Sequence, residues 1–133
     1  MNLTHYFRST SLVLLLISSL VAKAQTEIFN PIKDAIKSGN AKEVVKYFNQ
    51  QVDITLERNS NTQSKAQAEF VLRDFFKQHT ITDFNIIHTG SSKGGLQYAI
   101  GRYVSTGESF NVLMRVREVN GVFLVHEISF VKE

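Results

Sequence analysis

The residues with the most chemical potential are a carboxylate and a phenol, Glu127 and Tyr103, each set in an alternating apolar run in the second half of the chain. Brought together in an apolar pocket, with Met114 beside them, they could serve as a general base and a hydrogen-bond donor. The plainer role for Glu127 is a carboxylate satisfied by a neighbouring group at the pocket mouth. A second set, Tyr98, Arg115 and His126, could hold an anion through the guanidinium. Its plainer role is a polar seam on an interface between two copies.

Other chemistries are poorly served. His79, His88 and His126 show neither H-x-H nor H-x-x-x-H spacing, and no carboxylate pattern accompanies them, so no metal site is expected. No serine occupies a G-x-S-x-G elbow, and Gly94-Gly95 lacks the strand and helix that a phosphate cradle requires. Cysteine is absent, which excludes thiol chemistry and disulfide frameworks. No cofactor is expected.

The elements that must position these groups follow from period and punctuation. Asn30-Pro31 reads as a helix start, with Phe29, Ile32, Ala35 and Ile36 as its apolar stripe and Gly39 as its stop. Asn40 opens a second helix, with Glu43 completing a capping box and Val44, Val45, Tyr47 and Phe48 as its buried side. Val52, Ile54 and Leu56 alternate with Asp53, Thr55 and Glu57 in a half-buried strand, and the polar stretch Arg58 to Gln63 reads as a loop. Ser64 and Gln67 form another capping box. The long helix that follows gathers Ala68, Val71, Leu72, Phe75, Phe76 and His79 on one side, with Glu69 and Arg73 as an i,i+4 pair. From Ile81 the period drops to two, and turn signals at Ser91 to Gly95, Thr106-Gly107 and Asn120-Gly121 divide a four-stranded antiparallel meander. Asn-Gly supplies the positive φ that a type I′ hairpin turn needs at both central residues.

A two-residue turn at Asn120-Gly121 sets the register. It pairs Val119 with Val122, Arg117 with Leu124 and Val116 with Val125; continued without interruption, it pairs Arg115 with His126, Met114 with Glu127 and Leu113 with Ile128. A two-residue turn at Thr106-Gly107 adds Tyr98 beside Arg115, Ala99 beside Met114, Ile100 beside Leu113, Gly101 beside Val112 and Tyr103 beside Phe110. One face then carries Ala99, Gly101, Val112, Met114, Val116, Phe123 and Val125, nearly free of charge and suited to cover by helices. Glu127, Ser129 and Tyr103 are expected on that same concave side, where a carboxylate must find a partner, stay wet or shift its pKa. The other face mixes Tyr98, Ile100, Leu113, Leu124, Ile128 and Phe130 with Arg102, Arg115, Arg117 and His126, and a homodimer through it is expected.

The first residues read as a cleavable leader: one positive charge at Arg8, an apolar run from Leu12 to Ala22 that is too short to span a bilayer, and Ala22-Lys23-Ala24 as the cleavage site. The expected domains are therefore a signal peptide over 1–24 and one domain over 25–133, periplasmic or secreted and with no membrane anchor after cleavage. Removing Arg8 and Lys23 from the 15 basic residues leaves the remainder nearly balanced by the 12 acidic ones. A nucleic-acid partner needs a concentrated basic face, so none is expected.

Short helices around one strand, then a long meander closing on an Asn-Gly hairpin, resemble the nuclear transport factor 2 superfamily. The matching stretches are Gly39 to Phe48 for the corner and second helix, Ser64 to Phe76 for the third helix, and Asn120 to Phe130 for the last strand. Within that superfamily the chain resembles the exported bacterial domain of unknown function 4783. The resemblance implies an α+β cone: two short helices and one long helix packed on the concave face of a curved, mostly antiparallel sheet. Enzymes of this fold place Asp, Tyr, His or Arg in the cone, and this chain matches none of those constellations. The expected function is an exported non-catalytic binding or interaction module, holding a small apolar ligand in its cone or an envelope protein on its surface. The alternative is a small lyase, isomerase or hydrolase using the pocket carboxylate.

Overall fold

The chain turns a corner at Gly39, whose φ of +67° suits glycine and whose N–H donates to the Ile36 carbonyl at 2.9 Å. The computed structural model describes residues 27–133; the expected leader and its cleavage site lie outside the described residues. Residues 27–37 form helix α1, which buries Phe29, Ile32, Ala35 and Ile36 as its spacing requires. The helix already runs before Asn30-Pro31, so that pair lies within it instead of opening it.

Asn40 caps helix α2 (Ala41–Val45), its Oδ1 accepting from the Lys42 N–H at 3.0 Å and the Glu43 N–H at 3.4 Å. Glu43 turns away from the cap to pair with Lys46 at 2.9 Å. The helix is shorter than its apolar pattern implied, because Phe48 already belongs to strand β1 (Phe48–Leu56) and pairs with Val125. Tertiary pairing has overridden a local helical pattern here.

The stretch expected to be a loop is partly a strand. After a turn at Glu57, with φ +58°, strand β2 (Asn59–Ser64) runs antiparallel to β1 from Leu56↔Asn59 to Gln51↔Ser64. Its residues are all polar and mostly exposed, so no apolar alternation announces it. The ladder is reinforced by Thr62 Oγ1 donating to Asp53 Oδ1 at 2.6 Å and by Thr55 bonding Ser60 at 3.0 Å.

Helix α3 (Lys65–Gln78) starts on the expected capping box: the Gln67 N–H donates to Ser64 Oγ at 3.2 Å and the Ser64 N–H to Gln67 Oε1 at 3.1 Å. It buries Ala68, Leu72, Phe75 and Phe76, while Glu69 and Arg73 pair at 3.5 Å. The meander is as expected: β3 (Ile81–Ser91), a single 3₁₀ turn at Lys93–Gly95, β4 (Leu96–Ser105), β5 (Glu108–Val119) and β6 (Val122–Lys132). Asn120 and Gly121 both have positive φ, +51° and +80°, as a type I′ turn demands.

The strand order is β2-β1-β6-β5-β4-β3, antiparallel except for the β1–β6 pair. The three helices pack against one side of this curved sheet, which is the α+β cone architecture. Close approach shows at Gly101, where a Cβ would sit 2.6 Å from Cζ of Phe84, so the ring lies directly on the bare backbone.

Candidate functional site

The β4–β5 register is the expected one throughout, including Tyr98↔Arg115, Ala99↔Met114 and Tyr103↔Phe110. The β5–β6 register agrees from Val119↔Val122 to Val116↔Val125 and then shifts. His126 is an extra residue at a β-bulge, so Arg115 faces Glu127, Met114 faces Ile128 and Leu113 faces Ser129. This corrects the expected pairs Arg115–His126, Met114–Glu127 and Leu113–Ile128. The physical reason is burial: the shift of one residue brings Ile128 and Phe130 to the concave side, where both are fully buried, and moves Glu127 and Ser129 off it.

Tyr103 and Met114 are fully buried in the cone. The Tyr103 hydroxyl donates to the His79 carbonyl, and burial pushes its pKa up. Glu127 lies on the opposite, outer face, where Arg115 Nη1 approaches its Oε2 to 2.8 Å. Tyr103 and Glu127 are therefore divided between two faces. Tyr98 neighbours Arg115 as expected, but its hydroxyl lies 3.3 Å from His88 Nε2, and the next group across from Arg115 is Glu127 in place of His126. His126 sits in the bulge with Nε2 buried and without a hydrogen-bond partner. Burial holds its pKa below the ordinary imidazole value, Arg117 adds to this, and Asp53 opposes it.

What occupies the cone is aromatic. The Phe75 ring lies 4.6 Å from Phe130, 5.2 Å from Phe110 and 5.5 Å from Tyr103 between centroids, and Phe76 stacks on Tyr103 at 6.1 Å. Phe70 is not part of this packing; it is 66% exposed, with Arg73 lying 5.5 Å above its ring. Two clefts bounded by described residues lie elsewhere, one between α1 and β3 and one between α1 and α2.

Sequence reading missed one polar constellation. At the end of α3, His79 Nδ1 lies 2.6 Å from Glu108 Oε2, and Lys132 Nζ reaches Glu108 Oε1 at 3.0 Å. These bonds, from His79 first and Lys132 second, hold the Glu108 carboxyl below its usual range. A carboxylate-oriented imidazole is a familiar base. Here the ring is flanked by Phe75 at 4.8 Å and Phe110 at 4.9 Å, and its backbone carbonyl anchors Tyr103, so it ties α3 to β5. No signal joins residues 29 positions apart, although the Thr106-Gly107 turn does place Glu108 first in its strand. Among the described residues no cluster of three or more His, Cys, Asp or Glu could hold a metal ion.

The model of the family described as domain of unknown function DUF4783 matches residues 29–131. This chain belongs to the DUF4783 family. A crystal structure of a DUF4783 protein from Bacteroides ovatus is 25% identical and superposes with a TM-score of 0.74, over 78% of this chain and 94% of that one. A DUF4783 protein from Bacteroides uniformis is 28% identical with a TM-score of 0.73, covering 77% and 94%. An NTF2-like protein of unknown function from Shewanella baltica, at 13% identity and a TM-score of 0.65 over 86% and 95%, shares the fold of the DUF4783 chain. No curated protein matches the sequence.

Proposed function

We propose that this DUF4783 protein is a non-catalytic binding module, exported to the periplasm or secreted, that forms a homodimer through the outer sheet face and offers its remaining surface to another envelope protein. The observation that carries the reading is the filled cone. Phe75, Phe76, Tyr103, Phe110 and Phe130 occupy the volume where a small apolar ligand or a substrate would sit, each with at most 7% exposure. The carboxylate and phenol that an enzyme would combine are on opposite faces, and each already has a partner.

A second copy is favoured over solvent on the outer face by its composition. Ile100, Leu113 and Leu124 are only half-buried within one chain, and Val131 is exposed, beside Arg102, Arg115 and Arg117. Sedimentation equilibrium tests this: a dimer is expected, reduced to monomer by Leu113→Asp, and a wild-type monomer at high concentration would overturn it. Export has its own test. The N-terminus of the protein recovered from the cell envelope is expected at Gln25, and a retained Met1 would contradict it.

A further inference from the structure

The outer sheet face carries two charges of opposite sign that the chain leaves uncompensated. Arg102 has Glu133 and Arg115 has Glu127. Arg117 on β5 has no ion pair among the described residues, and Asp53 on β1 has a hydrogen bond from Thr62 Oγ1 at 2.6 Å but no cation among them. Both belong to this face. Asp53 alternates with buried Val52 and Ile54, Arg117 follows buried Val116, and both are themselves exposed.

Strand β6 runs between them. Arg117 is level with Leu124 on one side of that strand, and Asp53 is level with Glu127 on the other. His126, at the bulge, separates Leu124 from Glu127. Burial and then Arg117 hold its imidazole below the ordinary pKa while Asp53 opposes them, so both charges act on the residue between them. The half-buried apolar residues of the face, Leu124, Leu113 and Ile100, step diagonally from β6 through β5 to β4.

A closed pair of identical chains has a two-fold axis, and every contact between two different residues then occurs twice. An axis lying along the face over His126 exchanges the β5 side of one copy with the β1 side of the other. It sets Arg117 of each copy against Asp53 of the other and brings the apolar diagonals together. A face with one free charge of each sign, on opposite sides of one line, is complementary to itself. We infer that, given the homodimer proposed above, the two copies meet in this one orientation, selected by two symmetric Arg117–Asp53 pairs between them.

Charge exchange tests this, read by sedimentation equilibrium and native mass spectrometry of the protein. Asp53→Arg sets arginine against arginine twice in the pair, and Arg117→Asp sets carboxylate against carboxylate; each is expected to weaken self-association about 100-fold. Mixed in equal amounts, the two variants regain both attractions, and a heterodimer within about ten-fold of the wild-type affinity is expected. Lys42→Asp makes the same change of charge at an exposed position on α2, and its mixture with Asp53→Arg should give only the Lys42→Asp homodimer. Amide NMR dispersion shows which variants are folded. Where a charge reversal unfolds the chain, Asp53→Asn and Arg117→Gln take its place, each expected to weaken association about ten-fold, with no change counting against the orientation. Reversal variants that self-associate as tightly as wild type, a mixture of folded variants that stays monomeric, or equal rescue by Lys42→Asp overturns the orientation while leaving a dimer that Leu113→Asp disrupts. A monomeric wild type overturns the dimer and its orientation together.

Discussion

On the concave side of the sheet, Tyr103, Phe110, Met114, Ile128 and Phe130 are all at zero exposure and meet the rings of α3. On the convex side, the same strands set half-buried Tyr98, Ile100, Leu113 and Leu124 among Arg102, Arg115, Arg117 and Glu127. One bulged residue, His126, decides which side chains of β6 go where. The difference teaches that Glu127 and Ser129, inferred from sequence for the interior of this cone, belong outside it, while Tyr103 stays inside among packed aromatic rings.

The comparison is broken most severely from the inside. Phe75→Ala removes the ring at the centre of the aromatic packing and is expected to cost about 3–5 kcal/mol, read as a lower midpoint in urea denaturation. Gly101→Ala forces the Phe84 ring off the backbone and is expected to cost about 1–3 kcal/mol in the same experiment. Tyr103→Phe leaves the His79 carbonyl without its donor, at about 1–2 kcal/mol.

Two changes sharpen the contrast at its boundary. Because burial holds His126 below its ordinary value of 6.5, the unfolded chain takes up a proton more readily than the folded one. That contribution to stability is present above pH 6.5 and declines as pH falls below it, and His126→Gln is expected to flatten this part of the pH–stability curve. Glu108 adds a lower window: its depressed pKa contributes stability above 4.5 that is lost as pH falls below that value. The smallest effect is expected on the outer face, where Glu127→Gln breaks a solvent-screened pair with Arg115 and should change stability by less than about 1 kcal/mol. A loss of several kcal/mol would place that carboxylate in a far drier site than the outer face.

Much of the fold was legible because turns and caps are local. The Asn120-Gly121 hairpin, the Ser64–Gln67 capping box and the Gly39 corner each declare themselves within a few residues. The β2 strand was not legible, since its polar residues carry no apolar period and its ladder with β1 is the evidence for it. The site was legible up to Val116–Val125 and no further. Alternation alone cannot announce a bulge; the clue was energetic, since Ile128 and Phe130 would otherwise have faced outward while Glu127 faced a dry interior. The His79–Glu108–Lys132 tie joins α3, β5 and β6 across long separations that local pattern does not encode.

Methyl NMR of the wild-type protein with saturating benzene tests the filled cone most directly. Leu72, Met114 and Ile128 have side chains inside the cone and report on anything that enters it. The expected result is that their methyl signals stay in place in the wild type and respond saturably in Phe75→Ala, where a ring-sized cavity has been opened. A saturable shift of the same signals in the wild type would contradict a filled cone, because it would mean that the interior already holds space for an apolar ligand.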